Sequence, residues 1–139
     1  MRGASLIGLI SDTHGLLRPE AVRALEGCEL IIHAGDVGKP EIIESLQTIA
    51  RVIAVRGNVD KGEWASRLPE TAVVEAQGAA IYVLHDVHQL DLDPAAAGFG
   101  IVRWHRPRLS PEGAVAFENG YWASLLDHPP MTFIECVKR

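Results

Sequence analysis

Three short apolar runs, SLIGLI at residues 5–10, ELIIH at 29–33 and RVIAV at 51–55, alternate with two stretches of helical periodicity. Each run is too short and too apolar for a surface helix and reads as a β-strand. After the first, Pro19 takes the position proline favours at a helix start, Val22 and Leu25 fall on one face, and Gly27 ends the segment. After the second, EIIESLQTIA sets Ile42, Ile43, Leu46 and Ile49 along one stripe. Strands and helices in strict alternation predict a parallel sheet with right-handed crossovers, because parallel neighbours need a connection long enough to carry the chain back. This half is α/β.

Past RGNVDKGEW, which reads as a loop, the pattern changes. TAVVEA and AIYVLH, joined at Gln77 and Gly78, predict an antiparallel hairpin. Asp93 and Pro94 are expected to start a short helix over AAAG, and GIVRW reads as a strand. Residues 114–137 hold two or three further strands broken by ENG and DHPP. With 139 residues, 47% of them hydrophobic, and no repeat or linker, the expectation is one domain over 1–139.

Composition narrows the function classes. No apolar run approaches the roughly 18 residues of a membrane span. The net charge of −5 argues against a duplex nucleic-acid footprint. Cys28 and Cys136 fit no zinc spacing and the N-terminus lacks the sections of a secretory signal, so a reducing, cytoplasmic setting is expected. Arg103, Arg106 and Arg108 around His105 run against the overall charge; they read as a solvated hairpin edge or as a local attraction for a small anion. No Gly-x-Gly-x-x-Gly follows the first strand, which sets aside a dinucleotide site.

Polar side chains gather where the strands end. Asp12 and His14 follow the first strand, Asp36 the second and Asn58 the third, while His85 follows AIYVL and His105 follows GIVRW. The carboxyl ends of strands in α/β sheets line one crevice, so these residues are expected to meet in space. Two aspartates, three histidines and an asparagine amide form an oxygen and nitrogen donor set suited to Mn, Fe or Zn, with Asp36 placed to bridge two ions. Asp12 and His14 stand two apart, and in an extended backbone such residues point to the same side. The same SDTHG is also turn chemistry, in which Asp12 caps the helix opening near Pro19 and Gly15 supplies a positive φ.

SDTHG, HAGD, RGNVD and LHD, in this order and spacing, resemble the metal motifs of the calcineurin-like metallophosphoesterases, specifically the small phosphodiesterases of the YfcE type, over about residues 5–109. The resemblance implies a four-layer α/β/β/α sandwich, two mixed sheets face to face with helices outside. Carried over by motif, it implies that Asp12 and His14 hold a first metal, Asp36 bridges, Asn58 and His85 hold a second, and His105 returns to the first. Catalysis is expected to depend most directly on Asp36, Asn58 and His85. The implied activity is a metal-dependent phosphoesterase, foremost a phosphodiesterase, in which a hydroxide between two divalent ions about 3.5 Å apart attacks phosphorus. Manganese is the expected metal, with Fe, Ni or Zn as alternatives, and the partner is a small phosphate-ester substrate.

Two departures fall in the last third. Where the family carries Gly-His-x-His, the chain reads GIVRWHRPRL, so His105 matches the second histidine and Arg103 stands at the first. The second metal is thereby left with Asp36, Asn58 and His85, and one ion rather than two is an alternative. The family's Asn-Pro-Gly-Ser turn has only FENGYWAS as a counterpart, and the chain is short for a member. These departures keep open a second class of function, a catalytically impaired or non-catalytic scaffold on the same fold. A homo-oligomer is compatible with either.

Other polar residues have plainer readings. His33, inside a strand, is expected to be a buried hydrogen-bonded histidine, with orientation of the site as its alternative. Asp60 is expected to orient Asn58 or the loop backbone. Arg56 and Lys61 read as solvated loop cations, with contact to a substrate phosphate as the alternative. His88 and His128 are expected at the surface, and core packing is the reading for most of the aromatic residues, with base stacking on a nucleotide substrate as the alternative, for which Trp104 alone interleaves with cations.

Overall fold

The computed structural model of the protein describes residues 6–90, 93, 99–105 and 133–138. Its contacts divide the chain into two units, 1–86 and 87–139.

The first unit begins with β1 (Ile7–Ile10), α1 (Pro19–Leu25), β2 (Leu30–His33), α2 (Pro40–Gln47) and β3 (Arg51–Ala54). The three strands form one parallel sheet in the order β1-β2-β3, with Ile10 paired to His33 and His33 to Ala54 at the carboxyl ends. Both helices carry proline in the first turn, as expected for Pro19 in the first. RGNVDKGEW is not wholly a loop, since a single helical turn, α3 (Glu63–Ser66), starts inside it. Four residues are too few to show a helical period, so the sequence pattern carries no sign of it. The hairpin follows as β4 (Thr71–Ala76) and β5 (Ala79–Leu84), antiparallel, with Ala76 opposite Ala79. Gln77 (φ 52°) and Gly78 (φ 78°) both take the left-handed conformation that matches a two-residue turn to the twist of its strands.

Burial explains why β2 is apolar on both faces. Ile31 packs with Leu25, Val37, Ile42 and Leu46 on the helix side, and Trp64 joins that cluster. Ile32 packs with Val55, Val74 and Val83 on the hairpin side. The layers of this unit therefore run helices, parallel sheet, hairpin, a mixed α/β architecture. Ile31 and Leu46 have no exposed surface, and burying a side chain of that size contributes about 1.5–3 kcal/mol.

In the second unit a short 3-10 turn covers Val87–Gln89, and β6 (Phe99–His105) pairs antiparallel with β7 (Phe133–Lys138). The expected strand at GIVRW is part of β6 and the end of 114–137 falls in β7. The expected helix over AAAG, and the remaining strands before β7, lie outside the described residues. No helix among the described residues is long and apolar enough to cross a membrane.

Candidate metal centre

The loops after β1 and β2 run side by side beyond the ends of their strands. Asp12 N–H donates to Gly35 O (3.0 Å), His14 N–H to Asp36 O (3.0 Å) and Gly15 N–H to Val37 O (2.8 Å). The extended geometry expected of Asp12 and His14 is not what brings them together. Both take left-handed backbone conformations, at φ 55° and 45°, and Asp36 does the same at φ 54°. For residues with a Cβ this conformation costs roughly 1–2 kcal/mol each. Strain of this kind persists where surrounding contacts over-determine it and clusters at functional sites. Asp12 does not cap the first helix: Arg18 holds the N-cap position of α1, without a side-chain cap.

One ligand atom from each of Asp12, His14 and Asp36 falls within 4.8 Å of the others. His14 Nε2 stands 3.8 Å from both Asp12 Oδ1 and Asp36 Oδ2, too far for a hydrogen bond but close enough to share a cation. On the other side of Asp36, His85 Nε2 lies 3.4 Å from Oδ2, and 3.1 Å from Asn58 Oδ1. Asp36 is thus the hinge between an Asp12/His14 pair and an Asn58/His85 pair. Its other oxygen accepts from Val59 N–H at 3.0 Å.

The chemistry of these donors fits a divalent cation. His85 Nδ1 is 2.9 Å from the Ala34 carbonyl, which can only accept, so Nδ1 carries the proton and Nε2 presents a lone pair. In the neutral ring that lone pair faces an amide oxygen and a carboxylate oxygen, a donor set open to a cation. Two carboxylates near one another add repulsion that a positive ion relieves. Nitrogen and oxygen donors without thiolate match Mn, Fe or Zn, among others.

Close approach of the loops requires glycine at Gly35, Gly38 and Gly57. A Cβ on Gly57 would stand 2.0 Å from Asp36 Oδ1, and one on Gly35, itself at φ 97°, would meet the His85 ring at 2.7 Å. Asp60, only 5% exposed, binds the loops together: its carboxylate accepts from the N–H groups of Val37 (3.2 Å), Gly38 (2.7 Å) and Gly57 (2.8 Å). Of its two expected roles, the loop backbone is the one observed.

His33 is fully buried. Its Nδ1 accepts from Gly35 N–H (3.2 Å), which leaves the proton on Nε2 for Thr13 Oγ1 (3.0 Å), and the Thr13 hydroxyl donates to Val37 O (2.9 Å). Burial pushes the imidazole down to about 4, against the opposing pull of Asp60 and Asp12, so it is neutral at physiological pH. This chain joins the loop carrying Asp12 and His14 to the loop carrying Asp36.

Residues 6–100 match the calcineurin-like phosphoesterase superfamily domain. The chain belongs to this superfamily. It is 42% identical over 88 residues to a probable metallophosphoesterase of Methanocaldococcus jannaschii, covering 60% of this chain and 44% of the relative. A second probable metallophosphoesterase, from Methanothermobacter thermautotrophicus, is 40% identical over 85 residues, covering 58% and 49%. The chain spans about half the length of these curated relatives. Among solved structures, Vps29 of Chaetomium thermophilum shares the fold at TM-score 0.55 and 22% identity, over 66% of this chain and 52% of that one. Vacuolar protein sorting 29 of Cryptosporidium parvum does so at 0.52 and 23%, over 67% and 56%.

Asp12, His14, Asp36, Asn58 and His85 therefore converge. His105 ends β6 in the second unit, and its side chain lies outside the described residues, as does all of His128. Arg56 forms an ion pair with Glu70. Thr13 and the Ala34 carbonyl were not singled out from the sequence. Their partners lie 20 and 51 residues away, and the only local sign is Thr13's place between two candidate ligands.

Proposed function

We propose that this protein is a metal-dependent phosphodiesterase acting on a small phosphate ester. The observation that carries the reading is Asp36, whose buried carboxylate stands between Asp12 with His14 on one side and Asn58 with His85 on the other. Asp12, His14 and Asp36 would hold one divalent ion, Mn for preference, and Asp36, Asn58 and His85 a second. For His105 as a further ligand of the first, the support is the motif resemblance alone.

When bound, such ions supply Lewis acidity and lower the pKa of water toward neutrality. The chain's residues provide the rest. His85 is fixed as an Nε2 donor by Ala34, Asp36 is fixed by Val59 N–H, and the paired loops hold Asp12 and His14 at the solvent side. Half-exposed His14 borders the way in for substrate. Overall one water is consumed, the P–O bond to the leaving group breaks, and an alcohol and a phosphate product form. No side chain need act as nucleophile.

Metal analysis after dialysis, with hydrolysis of bis(4-nitrophenyl) phosphate, tests the reading. Retained or re-bound Mn²⁺ and Mn²⁺-dependent turnover are expected; no bound metal and no turnover with added Mn²⁺ would reject it. Arg103, in place of the family's first histidine, favours a scaffold as the second reading. Asp36→Asn separates the two, because it abolishes turnover in an enzyme and leaves a scaffold's partner binding intact.

A further inference from the structure

Beside Asp12 and His14 the surface sinks into an open cavity of about 470 Å³, whose lining also includes Ile10, Ser11, Thr13, Leu16, Arg18 and Ala21. Ile10 rests on the helix-side core, and Leu16 keeps 58% of its surface exposed in the wall. An apolar body seated here would cover Leu16 and gain from removing that surface from water. Arg18 is the positive charge in this lining. Its guanidinium makes no ion pair among the described residues, and the acid nearest in sequence, Glu20, is engaged by Arg23 at 3.4 Å. Its fork of donors is available to a ligand with paired anionic oxygens.

We infer that this cavity receives the leaving group of the ester, and that its class has an aromatic or other apolar body ending in an anionic substituent bound by Arg18. The inference rests on the phosphodiesterase reading. Phosphorus held at the ligand cluster must send its leaving group into adjoining space, and this cavity shares Asp12 and His14 with the cluster. Ile10, Leu16 and Ala21 fit the body of the group, and Arg18 fits its charged end. Arg18 is accordingly a specificity residue that touches substrate away from the reacting atoms.

Two diesters test this: phenyl 4-carboxyphenyl phosphate and its neutral isostere, phenyl 4-carbamoylphenyl phosphate, assayed with Mn²⁺ on the wild type, Arg18→Gln and Arg18→Lys. The ratio of kcat/KM for the charged over the neutral ester is expected to fall about tenfold in Arg18→Gln and by less in Arg18→Lys, which keeps the charge but not the fork. In parallel, calorimetry with 4-carboxyphenylphosphonate is expected to show about tenfold weaker binding to Arg18→Gln, a difference lost with the carbamoyl analogue. Circular dichroism checks that the variants fold. An unchanged ratio, or equal phosphonate affinity in wild type and variant, overturns the inference and leaves the phosphodiesterase reading standing. No hydrolysis by any of the proteins, with the difference in phosphonate binding retained, rejects the reaction but keeps the anion site. Failure of the wild type both to hydrolyse the esters and to bind the phosphonate rejects both.

Discussion

His85 Nε2 faces Asp36 Oδ2 at 3.4 Å while the opposite nitrogen of the same ring is held 2.9 Å from the Ala34 carbonyl. One histidine thus fixes its own tautomer through the backbone of the HAGD loop and turns a lone pair toward the carboxylate of that loop. The first consequence concerns metal binding. Mn²⁺ is expected to raise the thermal midpoint, with stabilisation of about 2.7 kcal/mol at a concentration one hundred times Kd, and chelator is expected to reverse it. In Asp36→Asn the side-chain oxygen can still accept from Val59 N–H, so the fold is retained while Mn²⁺ affinity falls by about 10- to 100-fold or more. Calorimetric titration of both proteins checks this.

Asp60→Asn leaves the size of the side chain almost unchanged but replaces one acceptor oxygen with an NH₂ group. At least one of the N–H groups of buried Val37, exposed Gly38 and buried Gly57 then faces a donor. Loss of about 1–3 kcal/mol is expected in urea unfolding, because a carboxylate acceptor is lost and a donor of the loops is left without its partner. A loss below about 0.5 kcal/mol would mean that Asp60 does not join the loops as described.

Gly57→Ala and Gly27→Ala make a matched pair. At Gly57 the new Cβ would collide with Asp36 Oδ1 and, at 2.2 Å, with its backbone N; at Gly27 nothing lies within 4 Å, although φ is 82°. The Gly27 variant is expected to lose about 1 kcal/mol from its backbone conformation alone. The Gly57 variant is expected to lose about 1–3 kcal/mol or more and, unlike its partner, to lose Mn²⁺ affinity as well. Equal metal affinities would show that Asp36 tolerates displacement.

His33 makes stability depend on pH. In the folded protein it takes up a proton only near pH 4, whereas in the unfolded chain it does so near 6.5, so the unfolded state binds more protons between these values. Its contribution is complete above pH 6.5 and is lost as pH falls toward 4, amounting to about 3 kcal/mol over that window. His33→Asn should be less stable at pH 7.5 but show a flatter decline from pH 6.5 to 4. Parallel wild-type and variant curves would refute the assignment.

The amino-acid sequence alone determined the alternation of strands and helices, the hairpin turn at Gln77 and Gly78, and the identity of the donors that close each strand. These follow from periodicity, proline and glycine placement, and residue type, all of which act within a few neighbours. The left-handed conformations of Asp12, His14 and Asp36 were not legible there. Intrinsic preference disfavours them, and it is hydrogen bonds to a loop more than twenty residues away that impose them. Tertiary structure also decided that Asp60 serves the backbone rather than Asn58, that His85 offers Nε2, that His33 connects two loops through Thr13, and that Arg18 borders the ligand cluster. Each depends on which distant groups meet once the sheet has formed, and a linear pattern of residue types carries no record of such meetings.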